Sequence, residues 1–199
     1  EVVSAYCSSG EIIRYDFDEN LENVTARKVY HLSGSGEESL IADVDNDGKA
    51  EYITSNSFRQ KAAKVEIFEL DDHGELITPP RIVIDGFDGR GCFYASIIVG
   101  DVDNDGKNEM VVGWKEDQKV NKGTLLGYRV TNIAAPIYTF AADDTSLDMS
   151  YFEKMMVIAD ADNDGKNELI VSTRGDNASE NIESDHLGHV FMYKVGEQI

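Results

Sequence analysis

Short apolar and β-branched runs, separated by polar turns, recur along the whole chain. The runs at residues 51–55, 109–113 and 168–172 have the composition of β-strands. A second kind of segment places an aromatic and an aliphatic residue two positions apart, so that both lie on one face of a strand. It occurs at residues 10–17, 63–70, 123–130 and 188–195. No stretch of ten or more residues combines a 3.6-residue apolar period with helix caps. The pattern therefore predicts an all-β protein.

An acidic segment with the pattern Asp-x-Asp-Asn-Asp-Gly-Lys-x-Glu occurs three times. We name residues 43–51, 101–109 and 160–168 the first, second and third acidic loops; they begin 58 and 59 residues apart. Each loop leads into one of the apolar runs, and a strand is predicted before each loop, as in residues 94–100. A further strand is predicted at residues 27–31, 81–84 and 136–140. Each complete repeat therefore contains four strands, with the acidic loop between the first and the second.

The chain opens with a run that matches the strand after each loop, so Glu1 is expected to be the last residue of a fourth loop. Four strands repeating every ~40–60 residues are typical of β-propeller blades. The loop-and-strand unit resembles the FG-GAP/VCBS-type repeat, the calcium-binding blade that is also found in the head of integrin α chains. The resemblance covers essentially the whole chain and implies a β-propeller, the fold that the strand count predicts independently.

The predicted domain is one propeller segment over residues 1–199 with about 3.5 blades of four strands each. The repeats are assigned to residues 1–37 (partial), 38–90, 91–149 and 150–199 (partial). We expect three strands in each end blade and four in each middle blade. A propeller that does not close its ring leaves exposed sheet edges, which promote aggregation. The chain is therefore expected to be roughly half of a larger propeller, completed by further sequence or by another copy.

The composition of the loops predicts calcium sites. Calcium takes six to eight oxygen ligands in a flexible cage. Aspartates at positions 1, 3 and 5 supply carboxylates, glycine at position 6 permits a tight turn, the position-7 carbonyl adds an oxygen, and glutamate at position 9 closes the cage. The predicted ligands are Asp43, Asp45, Asp47, Lys49 and Glu51; Asp101, Asp103, Asp105, Lys107 and Glu109; and Asp160, Asp162, Asp164, Lys166 and Glu168.

Other metal sites fit the loops less well. An EF-hand needs a glutamate at position 12, where this chain has Thr54, Val112 and Val171, so EF-hand and dockerin sites are excluded. Zinc lacks its cysteine and histidine ligands, and magnesium tolerates such an all-protein oxygen cage poorly. Clusters of four carboxylates are unfavourable without a cation, which favours about three bound calcium ions over loops without metal. The ions are expected to make the blades rigid rather than to act as Lewis acids.

Net charge and hydropathy exclude two classes of protein. The chain has 38 acidic and 18 basic residues and a formal net charge of -20, which argues against binding to nucleic acid. No apolar run approaches the ~18 residues that a transmembrane helix requires. Two cysteines, Cys7 and Cys92, do not make a disulfide scaffold, and free or buried thiols are favoured over a bridge.

Several other residues are weaker candidates. The insertion at residues 173–186 interrupts the last repeat and is either a binding loop or an acidic loop without function. The adhesive tripeptide that it contains, residues 174–176, is weak support for a role in cell adhesion. Trp114 is expected to pack between blades, with a sugar-stacking platform as the alternative. Asn23 and Asn177 lie in glycosylation sequons, and residues 144–148 form a further acidic segment that is assigned to an ordinary blade connection.

The favoured function is that of an extracellular, cell-surface or periplasmic binding module for a protein or a carbohydrate, because millimolar calcium suits such loops. The alternative is an enzyme, since rhamnogalacturonan lyases are built on propellers with calcium loops similar to these. Residues 111–115 are mildly similar to the strand ends of those lyases. The sequence yields no catalytic base, so binding is favoured over catalysis and no catalytic residue is assigned. A third hypothesis is a structural module that self-assembles through exposed blade edges.

Overall fold

The computed structural model confirms that the protein is all-β. The structure describes residues 2–6, 10–32, 34–58, 61–85, 95–115, 123–131, 135–140, 156–172 and 190–195. These residues form fourteen strands in four antiparallel sheets and contain no helix. Within the described part of the chain there is accordingly no helix that could cross a membrane.

Each sheet is a meander of consecutive strands with three, four, four and three strands, as expected from the sequence. Sheet 1 contains β1 (Val2–Tyr6), β2 (Glu11–Phe17) and β3 (Val24–His31). Sheet 2 contains β4 (Ser35–Ala42), β5 (Glu51–Phe58), β6 (Lys61–Phe68) and β7 (Ile82–Asp85). Sheet 3 contains β8 (Ala95–Gly100), β9 (Glu109–Lys115), β10 (Gly123–Arg129) and β11 (Ala135–Phe140). Sheet 4 contains β12 (Met156–Ala159), β13 (Glu168–Ser172) and β14 (Val190–Tyr193).

The sheets pack face to face in chain order, with one apolar core between each neighbouring pair. Adjacent residues of a strand point to opposite faces, so a strand with a core on both sides is apolar throughout. Val111 and Val112 on β9 illustrate this, since Val112 lies in the core shared with sheet 2 and Val111 in the core shared with sheet 4. The continuous apolar runs of β5 and β9 therefore belong to strands that are covered on both faces.

The first strands of successive sheets are neighbours in space. Strand β4 lies beside β8, and β8 lies beside β12. A hydrogen bond from the backbone N–H of Ile97 on β8 to Glu38 Oε2 on β4, 2.9 Å long, joins sheets 2 and 3 at this edge. The described residues do not form a closed ring.

Trp114 is part of the core between sheets 2 and 3 and is fully buried. Its indole Nε1–H donates a hydrogen bond of 3.3 Å to the hydroxyl of Tyr128 on the neighbouring strand β10. A sugar cannot stack on a ring without exposed surface, so the sugar-platform alternative for Trp114 is wrong. The expectation that Trp114 packs between sheets is confirmed.

Candidate metal centres

The three acidic loops occupy the same place in sheets 2, 3 and 4. Each loop follows the first strand of its sheet and ends in a glutamate that is the first residue of the second strand. These glutamates are Glu51, Glu109 and Glu168. The sequence therefore predicted the end of each loop correctly, and the last carboxylate of each loop is held by a strand rather than by a turn.

Two residues of each loop have positive φ angles that give the loop its turn. The asparagines at position 4, Asn46, Asn104 and Asn163, have φ angles of 64°, 64° and 61°. Asparagine tolerates this left-handed region better than most residues. The glycines at position 6 have φ angles of 90°, 86° and 88°, and a Cβ atom at these glycines would meet no atom within 4 Å. The turn thus requires glycine for its backbone conformation and not for lack of space.

The aspartates fold the loop around themselves by accepting backbone hydrogen bonds. In the first loop, Asp43 Oδ2 accepts the N–H of Gly48 at 3.0 Å, and Asp47 Oδ1 accepts the N–H of Lys49 at 2.8 Å. The second and third loops repeat both bonds at 2.9–3.0 Å. Each loop therefore converges on its carboxylates because its own backbone donors are bound to them.

The carboxylates at positions 1, 3 and 9 come together in every loop. Each of these residues offers one oxygen, and the three oxygens of each group lie within 4.8 Å of one another. The groups are Asp43, Asp45 and Glu51; Asp101, Asp103 and Glu109; and Asp160, Asp162 and Glu168. Oxygens that share one calcium ion at roughly 2.3–2.6 Å have separations of this size. The position-5 aspartates and the position-7 lysine residues are not in these groups, and their coordination of an ion remains a prediction.

The glutamate at position 9 gives the best support for a cation. All three of these glutamates are fully buried, and each Oε2 accepts the backbone N–H of position 2, at 2.9, 3.3 and 2.9 Å in loop order. Glu51 Oε1 is buried and has no hydrogen-bond partner, and Glu168 Oε1 has no hydrogen bond either. An ionised carboxylate is unfavourable in such a place unless a cation or donor meets it. The donor set thus fits a hard, oxygen-binding ion.

Among the described residues, one cationic side chain contacts the carboxylates of each loop, and the sequence did not predict these contacts. In the second loop, the Arg129 guanidinium is 2.8 Å from both Glu109 Oε1 and Asp105 Oδ2. In the third, Lys194 Nζ is 2.6 Å from Asp162 and 3.6 Å from Glu168 Oε1. Both cations follow the aromatic residue of the third strand, a position that was already visible in the repeat. The corresponding residue of sheet 2 is Glu69.

The first loop differs from the other two because its cation comes from elsewhere. Arg81, which precedes β7, bridges Glu69 and Asp45 Oδ2, the latter at 2.7 Å. No ion pair or hydrogen bond to Glu51 Oε1 is present among the described residues. In the second loop, by contrast, Arg129 contacts Glu109 Oε1, and Asp103 Oδ2 accepts a hydrogen bond from the Tyr138 hydroxyl at 2.6 Å. The first loop therefore leaves its glutamate open to an ion, whereas in the second loop an ion must displace Arg129.

Burial has a measurable consequence for the acid–base behaviour of these glutamates. Desolvation raises the pKa of Glu51 to about 7, against a backbone hydrogen bond from Val44 that lowers it, and the nearby Asp45 carboxylate adds to the rise. Desolvation also raises the pKa of Glu109, but the hydrogen bond from Arg129 opposes this. In the absence of a cation, the carboxyl group of Glu51 therefore takes up a proton at a higher pH than an exposed glutamate does.

We expect the calcium affinity of the first loop to fall as the pH falls below about 7, because calcium must displace the proton of Glu51. One displaced proton lowers the affinity by up to about tenfold per pH unit. Calorimetric titration of a Glu109→Gln/Glu168→Gln double variant, which leaves only the first loop intact, would measure this dependence. Buffers of different ionisation enthalpy would count the released protons. An affinity that does not change between about pH 5.5 and 7 would contradict the prediction.

Asparagine side chains connect each acidic loop to the next. Asn46 of the first loop accepts the backbone N–H of Asn108 through Oδ1 at 2.7 Å and donates to its carbonyl through Nδ2 at 3.1 Å. Asn108 in turn donates from Nδ2 to the carbonyl of Asp43 at 2.7 Å. The second and third loops repeat all three bonds through Asn104, Asn167 and the carbonyl of Asp101. We call this arrangement the asparagine ladder.

Replacing Asn108 by alanine is expected to destabilise the protein modestly, because it removes only the bond from Nδ2 to the Asp43 carbonyl. The loss of one such bond lowers the free energy of unfolding by about 0.5–1.5 kcal/mol. For a chain of this size, that corresponds to a decrease of roughly 1–6 °C in Tm. Thermal unfolding followed by circular dichroism would measure the decrease, and Asn167→Ala should match it. Lys107→Ala, at the exposed neighbouring residue, is the control; an equal loss in this variant would refute a specific role for the ladder.

A scan against protein-family models finds no family that matches the chain, and a search of curated proteins finds no significant match. The relationship to FG-GAP/VCBS repeats therefore remains a prediction that rests on the repeats themselves. Asn23, in the first sequon, lies at the surface and donates from Nδ2 to Asp18 Oδ2 at 2.6 Å. Several other predictions concern segments outside the described residues. They involve Cys7, Cys92, residues 144–148, the insertion at residues 173–186 and Asn177.

Proposed function

We propose that this chain is a calcium-stabilised β-propeller segment that serves as an extracellular binding module for a protein or a carbohydrate. The observation that carries the calcium assignment is Glu51 Oε1, a fully buried carboxylate oxygen without a hydrogen bond, on a residue that is grouped with the carboxylates of Asp43 and Asp45. All three groups offer only carboxylate oxygens, the ligands that calcium prefers and that zinc rarely uses alone. Magnesium demands a smaller and more regular cage.

The role of the ion in this proposal is structural. Glu51 is the first residue of β5, whereas Asp43 and Asp45 belong to the loop that follows β4. An ion that binds all three residues ties the start of the second strand to the end of the first. The hydrogen bonds of the asparagine ladder then hold each loop against the loop of the next sheet. Calcium thereby orders the same corner of three successive sheets, which supports a scaffold that presents binding loops.

The propeller assignment is supported by the repetition of the sheets. Four meanders pack face to face in chain order, and their first strands lie side by side. Each acidic loop also occupies the same place in its sheet. Blades of a propeller are arranged in this way around a common axis. We include an extracellular location in this proposal, and the calcium chemistry supports it because acidic loops can be filled at the millimolar concentrations found outside cells.

Native mass spectrometry of the calcium-loaded protein tests the calcium assignment. We expect three ions, and Glu51→Gln, Glu109→Gln and Glu168→Gln should each remove one of them. Glutamine keeps the size of the side chain but removes the charge and one oxygen ligand. Glu66→Gln is the matched control, because Glu66 is also a buried glutamate but lies outside the loops and hydrogen-bonds to Asn56. A protein that binds no calcium, or variants that keep all three ions, would refute the assignment.

A further inference from the structure

Sheet 4 carries an apolar outer face that no sheet among the described residues covers. Val157, Val190 and Met192 are 50%, 72% and 53% exposed on this face. Ile170 lies on the same face, because it pairs with Val157 on one side and with Met192 on the other. Val190 lies on this face as well, since it is two residues before Met192 in β14. The opposite face of the sheet, which includes Leu169 and Val171, lies in the core shared with sheet 3.

The same positions are buried in the two sheets that do have a following sheet. Counted from the acidic loop, Ile170 corresponds to Ile53 and Val111. Aligned on the aromatic residue three positions later, Val190 corresponds to Val65 and Leu125. All four of these counterparts are fully buried, at 0% exposure. They face the next sheet in the cores between sheets 2 and 3 and between sheets 3 and 4. The outer face of sheet 4 therefore has the composition of an inter-sheet interface.

Sheet 1 carries the complementary face at the other end of the stack. Phe17 and Val24 pair across β2 and β3 and are 43% and 56% exposed. Ile13 and Tyr15 lie on the same face, four and two residues before Phe17, and are half-buried. Tyr15 is the counterpart in the repeat of Phe68, Tyr128 and Tyr193. Each of those three aromatic side chains packs toward the preceding sheet, and Tyr15 occupies the corresponding face of sheet 1.

We propose that the outer face of sheet 4 in one copy binds the outer face of sheet 1 in a second copy, head to tail. This contact continues the interface that joins successive sheets within the chain, aliphatic side chains of one sheet against aromatic side chains of the next. Two copies bring eight sheets together, which is within the range of about 4–8 blades in propellers. A heterologous contact of this kind closes into a ring where the rotation between copies allows it. The inference concerns assembly and goes beyond the proposed function.

The charge of the chain sets the conditions under which the contact is strongest. Each copy carries a formal net charge of -20, so two copies repel each other at low ionic strength. Salt screens this repulsion and leaves the apolar contact largely intact. The association is therefore expected to strengthen as sodium chloride is raised, the opposite of an assembly held together by ion pairs.

Analytical ultracentrifugation and light scattering of the calcium-loaded chain test the proposal. The wild-type chain of 22.0 kDa is expected to form dimers or larger assemblies at micromolar concentrations. Met192→Lys and Phe17→Lys should each weaken association at least tenfold, with unchanged circular dichroism and unchanged calcium content. Ile77→Lys is the matched control, because Ile77 is 51% exposed but lies between β6 and β7, outside both faces. A wild-type chain that stays monomeric, or variants that associate like the wild type, would overturn the proposal.

Mixing the two variants distinguishes head-to-tail assembly from a contact between two identical faces. The Met192→Lys copy keeps an intact sheet 1 face, and the Phe17→Lys copy keeps an intact sheet 4 face. An equimolar mixture should therefore form a heterodimer with one intact interface, although each variant alone remains monomeric. The mixture is examined at high concentration, because a single interface lacks the added strength of ring closure. A mixture without a heterodimer, or a Phe17→Lys variant that dimerises alone, would contradict head-to-tail packing.

Discussion

Chelation of calcium is expected to lower the unfolding temperature by about 5–10 °C for each acidic loop that was filled. A ligand that binds only the folded state at a concentration of 100 times its Kd stabilises that state by about 2.7 kcal/mol. For a chain of this size, 1 kcal/mol corresponds to roughly 2–4 °C in Tm. The physical reason is most direct at Glu51, where removal of the ion leaves a buried carboxylate oxygen without a partner.

Differential scanning calorimetry in calcium and in excess chelator would measure this decrease. Ionic strength must be matched, because a chain with a net charge of -20 is also stabilised by screening alone. Glu51→Gln should show a smaller difference between the two conditions than the wild type, since its first loop no longer binds an ion. Magnesium at the same concentration serves as a control for cation specificity. Identical melting curves with and without chelator would rule out structural calcium.

The strands were predictable because the chain presents the same pattern several times. One apolar run of five residues, such as 168–172, is ambiguous by itself. Three such runs, each immediately after an acidic loop, all proved to begin a second strand at its glutamate. The division into sheets of three, four, four and three strands followed from the same comparison. Comparison of the repeats thus identified strands that a single segment could not have identified by itself.

The cations near the loops were not predictable from local pattern. Arg81 reaches Asp45 across 36 positions in sequence, and Arg129 reaches Asp103 across 26. Such pairs depend on how the third strand of a sheet is placed against its loop, which periodicity does not determine. The residue after the aromatic position of the third strand was a usable signal for Arg129 and Lys194. It gave no indication of Arg81, because the corresponding residue of sheet 2 is Glu69.

The asparagines of the ladder are visible in the sequence, but their hydrogen bonds were not predicted from it. Position 4 is asparagine in all three loops, whereas position 8 is Asn108 and Asn167 in the second and third loops but Ala50 in the first. The bonds join residues 62 to 66 positions apart, so their partners become evident only when two sheets are stacked. Position 8 of the second and third loops reaches backward to the preceding loop, and Ala50 at position 8 of the first loop has no side-chain amide with which to make this bond.

The spacing of the loop residues predicts which of them could bind an ion, whereas the structure shows which of their side chains converge. Positions 1, 3 and 9 converge within 4.8 Å in each loop, as the calcium hypothesis requires. The position-5 aspartates have a second role that the spacing also permits, since each accepts the N–H two residues further on. A short aspartate side chain readily makes this local bond and thereby shapes the turn. Carboxylates in a calcium-type pattern can therefore serve the fold of the loop as well as an ion.

Replacement of Trp114 by alanine is expected to lower the free energy of unfolding by about 3–5 kcal/mol. Trp114 is the largest fully buried side chain and fills the core between sheets 2 and 3. Its loss leaves a cavity between two sheets and removes the donor that meets the Tyr128 hydroxyl. A loss of this size corresponds to a decrease of roughly 6–20 °C in Tm for a chain of this length. Trp114→Phe keeps part of the ring volume, so about half the loss or less is expected.

Urea and thermal unfolding followed by circular dichroism would measure the effect of the Trp114 substitutions, because the chain has only one tryptophan and the variants lose its fluorescence. Ile137→Ala, at a residue of β11 that is 42% exposed, is the control and should change stability far less than Trp114→Ala. Calcium content should stay at the wild-type value in all three variants, because none of these side chains lies in an acidic loop. A Trp114→Ala protein as stable as the control would mean that sheets 2 and 3 do not depend on this core. A variant that also loses calcium would instead mean that the packing of the two sheets positions the loops, so that core and metal sites form one cooperative unit.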